Sequence, residues 1–272
     1  MPTLVSRDGT VIGYDTTGQG PALILVAGAT QYRAVDTTIT PVLAGLLAER
    51  FAVVNYDRRG RGESGDTPPY AVAREIEDIA ALIEAHGGRG YLFGMSSGAV
   101  LALEAAAALG EGVGAVVMYE PPIDPAASAE RYQQDHAEMA ALAAEGRAAD
   151  MMGKFLAGVG MPPEALEGFR QSPAWPAYAA VGLTLEHDYR VLAEARTGAA
   201  PPERWRQVSA PVLVLDGAAS FPFMHAGADW VASALPNARQ QTLAGQSHEY
   251  DPRAVAPVIA AFLEEAEAAA AR

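Results

Sequence analysis

The strongest constraint on how this chain folds is a recurring unit: a short, unbroken apolar run, boxed by turn residues and followed by text with helical spacing. Ala22-Leu23-Ile24-Leu25-Val26, after Gly18-Gln19-Gly20-Pro21, is the clearest case. A strand buried on both faces has no polar face to show, so it reads as continuous rather than alternating hydrophobicity, and that environment is typical of parallel sheets. Phe51-Ala52-Val53-Val54-Asn55-Tyr56 repeats the signal, Tyr91 to Phe93, Val113 to Tyr119 and Pro211 to Leu215 continue it, and a last strand is expected at Arg239 to Leu243. Thr3 to Ser6 and Val11 to Tyr14 flank Arg7-Asp8-Gly9-Thr10 and predict a hairpin. Helices are predicted over Pro41 to Arg50, Ala71 to His86 (stopped by Gly87-Gly88), Ser97 to Leu109 and Ala254 to Ala268. This order predicts an α/β fold, a mostly parallel central sheet with helices on both faces.

The rhythm breaks once. From Pro121 onward, Ala126 to Phe155, Pro163 to Gln171 and Ala177 to Glu194 all read as helix, with no strand between them. The expected organisation is one core domain built from residues 1–120 and 205–272, with residues 121–204 inserted after the sixth strand as a helical lid. A chain of 272 residues is long enough to bury such a core.

Charge and composition narrow the partners. A net charge of −14 repels nucleic acid and anionic membrane surfaces, which leaves a small molecule as the expected partner and a homodimer as an option. There is no cysteine, so thiolate chemistry and disulfides are excluded, and no two histidines stand at zinc-ligand spacing. Neither a metal nor a cofactor is expected. The text MPTLVSRDGTVIGYD has no basic segment followed by an apolar one, and no apolar run reaches membrane-spanning length, so a cytoplasmic location is expected.

The chemistry concentrates in Gly90-Tyr91-Leu92-Phe93-Gly94-Met95-Ser96-Ser97-Gly98-Ala99-Val100. A serine hydroxyl becomes a useful nucleophile only when a base can take its proton, and a sharp strand-to-helix turn exposes it for that purpose. Such a turn crowds the backbone, so glycine is needed two residues before and two after the nucleophile. Ser96 has Gly94 and Gly98 there; Ser97 would have Met95 and Ala99. Ser96 is therefore the candidate nucleophile. The N–H of Ser97, at a helix N-terminus, is a candidate oxyanion donor.

Together with Tyr56-Asp57-Arg58-Arg59-Gly60-Arg61-Gly62-Glu63-Ser64 after the second parallel strand, the helical insertion and a late Gly245-Gln246-Ser247-His248, this elbow resembles the α/β-hydrolase superfamily. The resemblance is to its lid-bearing branch, which includes cofactor-independent haloperoxidases and small-molecule esterases. It implies the chain order nucleophile, acid, histidine, and of the five histidines it selects His248 as general base. It also implies an acid in the loop after Val212 to Leu215, but that text reads Asp216-Gly217-Ala218-Ala219-Ser220, with Ser220 where an aspartate is expected. Glu120, at the end of the strand Val113 to Tyr119, is the expected substitute, as in some lid-bearing relatives, and Asp216 is the alternative acid. The second oxyanion donor falls to Ala29, because Ala27-Gly28-Ala29 replaces the family's usual His-Gly.

Met95, Trp175, Phe221 and Phe223 are candidates for an apolar substrate pocket, although ordinary packing accounts for such residues as well. Gly60-Arg61-Gly62-Glu63-Ser64-Gly65 matches a dinucleotide-binding pattern, but Asp66-Thr67-Pro68-Pro69-Tyr70 delays the next helix, so the segment reads as a scaffold loop. The expected function is a serine hydrolase of a small, largely apolar ester or lactone, acting through an acyl-enzyme. The alternatives are a lyase, isomerase or cyclase on the same scaffold, or a C–C bond hydrolase or cofactor-free haloperoxidase activity.

Overall fold

The computed structural model describes residues 2–271. Eight strands form one sheet: β1 (Thr3–Val5), β2 (Val11–Thr17), β3 (Ala22–Val26), β4 (Ala52–Tyr56), β5 (Gly90–Met95), β6 (Val113–Tyr119), β7 (Val212–Gly217) and β8 (Ala238–Leu243). Their order across the sheet is β1-β2-β4-β3-β5-β6-β7-β8. β1 and β2 pair as the antiparallel hairpin read from the sequence, β2 runs antiparallel to β4, and every later pairing is parallel.

The apolar runs are explained by burial on both sides. Ile24, Val54, Leu92, Val116 and Val214 point into a core on one face, against α2 (Val72–Ala85), α3 (Ser97–Leu109) and α9 (Pro222–Ser233). Leu23, Leu25, Val53, Phe93, Val117 and Leu213 point to the other, against α1 (Thr40–Leu47) and α10 (Pro252–Ala270). At roughly 1.5–3 kcal/mol for each fully buried large aliphatic or aromatic side chain, these two layers are the main stabilising term, set against chain entropy of similar size.

The chain leaves β3 toward one edge of the sheet to build β4, then crosses back to place β5 on the other side of β3. Loops leaving the carboxyl ends of β3 and β5 therefore diverge and open a crevice, the position where open α/β sheets hold ligands.

Between β6 and β7 the described residues form five α-helices, α4 (Ala129–Ala144), α5 (Ala148–Gly158), α6 (Pro163–Arg170), α7 (Trp175–Ala180) and α8 (Leu185–Ala195), with two short 3-10 turns and no strand. Two helical ranges expected from the sequence are divided. The stretch expected to be continuous from 126 to 155 breaks into α4 and α5, because Gly146 takes φ +70°, a left-handed turn that ends a helix without side-chain strain. The stretch expected from 177 to 194 is split at Gly182, where an added Cβ would stand 2.0 Å from Ala148 O, so only glycine lets α5 approach this turn. The block carries its own apolar cluster around Met139, Met151, Met152, Val181 and Leu185, and that cluster packs onto Ala29 and Tyr32 of the loop after β3.

Candidate active site

Ser96 is the one residue between β5 and α3 and has φ 55°, ψ −127°. This conformation is rare for a residue with a Cβ and costs on the order of 1–3 kcal/mol, so the surroundings must impose it. They do so by close backbone approach. A Cβ on Gly94 would lie 2.4 Å from Gly98 O, and one on Gly98 would lie 2.3 Å from Val26 O. Both glycines are required sterically, as the elbow reading expects. The Ser96 N–H donates to Tyr119 O at 2.9 Å, which ties the turn to the end of β6.

Glu120 is the next residue after that strand end. Its φ is +47°, and its N–H donates to Leu215 O at 2.8 Å on β7. Its carboxylate is fully buried and collects three donors: Gly217 N–H on Oε1 at 2.8 Å, the Ser220 hydroxyl on Oε2 at 2.8 Å, and His248 Nδ1 on Oε2 at 2.7 Å. A buried carboxylate needs such donors, since desolvating an unpaired charge costs several kcal/mol. An ionised carboxylate can only accept, so the hydrogen in the His248 contact is on Nδ1, and Nε2 is left as the basic nitrogen.

His248 lies in the loop between β8 and α10. The approach of that loop to β7 is close, since a Cβ on Gly217 would stand 2.3 Å from Gln246 O. The Tyr119 hydroxyl donates to Ser247 O at 2.6 Å and pins the same loop. Strand ends of β5, β6 and β8 thus bring Ser96, Glu120 and His248 to one end of the sheet. No hydrogen bond joins the Ser96 hydroxyl to His248 among the described residues. Contacts between nucleophile and base often tighten only when substrate binds.

The loop after β3 lies against the elbow. A Cβ on Gly28 would be 3.1 Å from Ser96 Cβ and 3.0 Å from Met95 O. Thr30 takes φ +64°, and the Gly28 N–H is capped by Gln31 Oε1 at 2.8 Å. The Ala29 N–H finds no protein acceptor among the described residues. Ser97, the other candidate donor, is the first residue of α3, and its hydroxyl is turned away to Asp188 Oδ1 at 2.7 Å.

Residues 23–259 match the sequence model of the alpha/beta hydrolase family. The chain belongs to the alpha/beta hydrolase family. A solved alpha/beta hydrolase from Sphaerobacter thermophilus DSM 20745 is 44% identical, with 96% of this chain and 99% of that chain covered and a TM-score of 0.81. The uncharacterized hydrolase YraK of Bacillus subtilis (strain 168) is 32% identical over 117 residues, so the match spans 42% of this chain and 42% of that protein's length. A thermophilic esterase from Thermogutta terrifontis shares the fold, with a TM-score of 0.71 at 21% identity over 97% of this chain and 98% of that one.

In this alpha/beta hydrolase the other named residues fall in different places. Asp216, the alternative acid, is fully buried and is occupied by His225 Nδ1 at 2.9 Å, Gln240 Nε2 at 2.9 Å and the Thr242 hydroxyl at 3.1 Å. Met95 is buried in the core toward α1 and α10. Its sulfur accepts from Gln31 Nε2 at 3.4 Å, and it lines a cavity of about 20 Å³ with Leu25, Phe93 and Tyr250. Trp175 joins the apolar cluster of the helical block, edge-on to Phe169 with ring centroids 5.6 Å apart. Phe221 and Phe223 are exposed and stack on each other at the start of α9, at 5.9 Å.

The segment Gly60 to Gly65 is a tight loop: a Cβ on Gly62 would stand 2.2 Å from Asp57 Oδ2, and Arg58, Arg59 and Arg61 are buried and paired to carboxylates.

Sequence reasoning missed Ser220 as a donor to Glu120, Gln31 as the brace of the Gly28 turn, and Asp188. The partners of Ser220 and Asp188 lie about a hundred residues away in sequence, so no local pattern announces them.

Proposed function

We propose that this alpha/beta hydrolase is a serine hydrolase of small, largely apolar esters or lactones. The observation that carries the reading is the strained, glycine-enforced turn at Ser96, hydrogen-bonded to the end of the same strand whose next residue, Glu120, holds His248. In the reaction, His248 Nε2 removes the Ser96 proton as Oγ attacks the carbonyl carbon. Glu120 keeps the imidazole in the tautomer that allows this and stabilises the imidazolium that forms. The tetrahedral oxyanion is held by the Ala29 and Ser97 N–H groups, the latter at the positive end of α3. Collapse expels the alcohol, which takes its proton from His248. Water then attacks the acyl-enzyme with His248 again as base, releasing the acid and restoring Ser96.

The preference for an apolar acyl group rests on the cluster of the helical block, including Trp175 and Tyr178, that packs onto Ala29. In this reading the helical block, residues 121–204, acts as the lid over a core of 1–120 and 205–272.

A fluorophosphonate tests the reading directly. A covalent adduct located on Ser96 by mass spectrometry, and lost in His248→Ala, is the expected result. A wild-type protein that takes no adduct and cleaves no member of an ester and lactone panel would overturn it in favour of non-hydrolytic chemistry on this scaffold.

A further inference from the structure

The proposed reaction leaves unused a buried cluster of charge behind the oxyanion loop. Arg58 and Arg61 from the loop after β4, Glu75 on α2 and Asp188 on α8 are all 2% exposed or less. Arg58 forms a bidentate pair with Glu75, both contacts at 2.7 Å, and its Nη1 donates to Asp188 Oδ1 at 2.6 Å and to Ala27 O at 3.1 Å. Arg61 donates to Asp188 Oδ2 at 2.5 Å and to Gly28 O at 2.6 Å. The Ser97 hydroxyl completes the set on Asp188 Oδ1. Two cations face two carboxylates, so the cluster is neutral. A buried ion cluster is a poor source of net stability, because desolvation cancels much of its attraction.

Its geometry bears on catalysis instead. The Gly28 carbonyl and the Ala29 N–H belong to one planar trans peptide group and point in opposite directions. Arg61 grips that carbonyl, so the Ala29 N–H is turned away from the cluster and kept there. Ser97, whose N–H is the second candidate donor, is held on the same Asp188 carboxylate through its hydroxyl.

We propose that Asp188 is a positioning residue of this enzyme, which from the helical block orients both oxyanion donors: Ser97 directly, and Ala29 through Arg61 and the Gly28 carbonyl. The oxyanion hole is then complete only when α8 is docked on α3. The proposal rests on the serine hydrolase reading.

Such a residue acts when negative charge develops on the substrate oxygen and contributes little to ground-state binding. Asp188→Asn keeps the shape but turns one acceptor oxygen into an amide that faces a donor. With p-nitrophenyl butyrate, kcat is expected to fall about 10- to 100-fold, with KM changed less than about threefold. The inhibition constant of an alkyl trifluoromethyl ketone, which forms an oxyanion adduct on Ser96, is expected to rise by the same factor as kcat/KM falls. Ser97→Ala should show a smaller version of this pattern, and the double variant should be no worse than Asp188→Asn alone.

A folded Asp188→Asn enzyme with kcat and ketone affinity within about twofold of wild type would overturn the proposal. So would a loss of kcat with ketone affinity unchanged, which marks a merely structural residue. Should Asp188→Asn fail to fold, Ser97→Ala decides by the same two measurements. A wild type that neither cleaves the ester nor labels on Ser96 removes the hydrolase reading and this one together; a reactive wild type with indifferent variants removes this one alone.

Discussion

Ser96 holds a backbone conformation that a glycine would adopt without strain, and the chain keeps a side chain there. Comparing Ser96→Gly with Ser96→Ala isolates that strain, because both lose the hydroxyl and only alanine keeps the Cβ. The glycine variant is expected to be more stable by about 1–2 kcal/mol, read as a midpoint a few degrees higher in thermal unfolding. The neighbouring glycines carry the opposite sign. Gly98→Ala puts a methyl 2.3 Å from Val26 O and 2.5 Å from Ala27 O, and should destabilise by about 1–3 kcal/mol. Glu120→Gln tests the carboxylate. Three donors converge on its two oxygens, and a glutamine amide offers one acceptor while its NH2 must face a donor. Turnover is expected to fall by roughly three orders of magnitude or more in ester hydrolysis, with circular dichroism unchanged. An equal fall in Asp216→Asn and none in Glu120→Gln would reverse the assignment of the acid.

Among the elements, strands and the helices beside them were legible because their signal is local. The apolar run of β3 or the helical spacing of α2 is written in consecutive residues, and burial only confirms it. The helical block was less so. Its breaks at Gly146 and Gly182 depend on a left-handed turn and on the approach of α5, and nothing in a window of twenty residues says which glycine ends a helix and which sits inside one. Docking of α8 carries its own pH signature. His187 on that helix is buried and stacked on Tyr70 at 3.7 Å. Burial lowers its proton affinity below the ordinary 6.5, against the opposing pull of Glu75 and Asp66. The unfolded chain therefore takes up the proton first as pH falls. Stability from this residue is present above about pH 6.5 and is lost as pH drops through that value toward the lower folded one. In urea unfolding between pH 8 and 5, His187→Gln should show a flatter dependence than wild type.

On the scale of the whole molecule, the loops leaving β3 and β4, the helical layer of α2 and α3, and the inserted block meet at the charge cluster around Asp188. Burial alone pushes the Glu75 carboxyl up, but the charge and hydrogen bonds of Arg58 bring it down to about 2. A depressed carboxylate contributes stability above its unfolded value, here 4.5, and loses it as pH falls toward 2. Acid unfolding is expected to be steep in that window. In Glu75→Gln it should start from a lower stability at pH 7 and slope less between pH 4.5 and 2, which chemical denaturation at several pH values would read. Among the described residues no helix is long and apolar enough to cross a membrane.

By itself, the sequence determined what depends on near neighbours: the order of strands and helices, the run of helices between β6 and β7, and the sharp turn centred on Ser96, where a Cβ on Gly94 would strike Gly98 O and Ala99 a few residues on, whereas the demand for glycine at 98 comes from Val26 and Ala27, far away in sequence. The tertiary structure decided what depends on approach between distant segments. The carboxylate on His248 is Glu120 because β6 lies beside β7 and leaves Ser220 free to donate to it, and Asp216 is drawn off by residues of α9 and β8. Asp188 reaches Ser97 and Arg61 only after α8 folds back over the core. Hydrogen-bond geometry of this kind is set within a few tenths of an ångström by packing, and packing is a property of the assembled layers rather than of any one stretch of the chain.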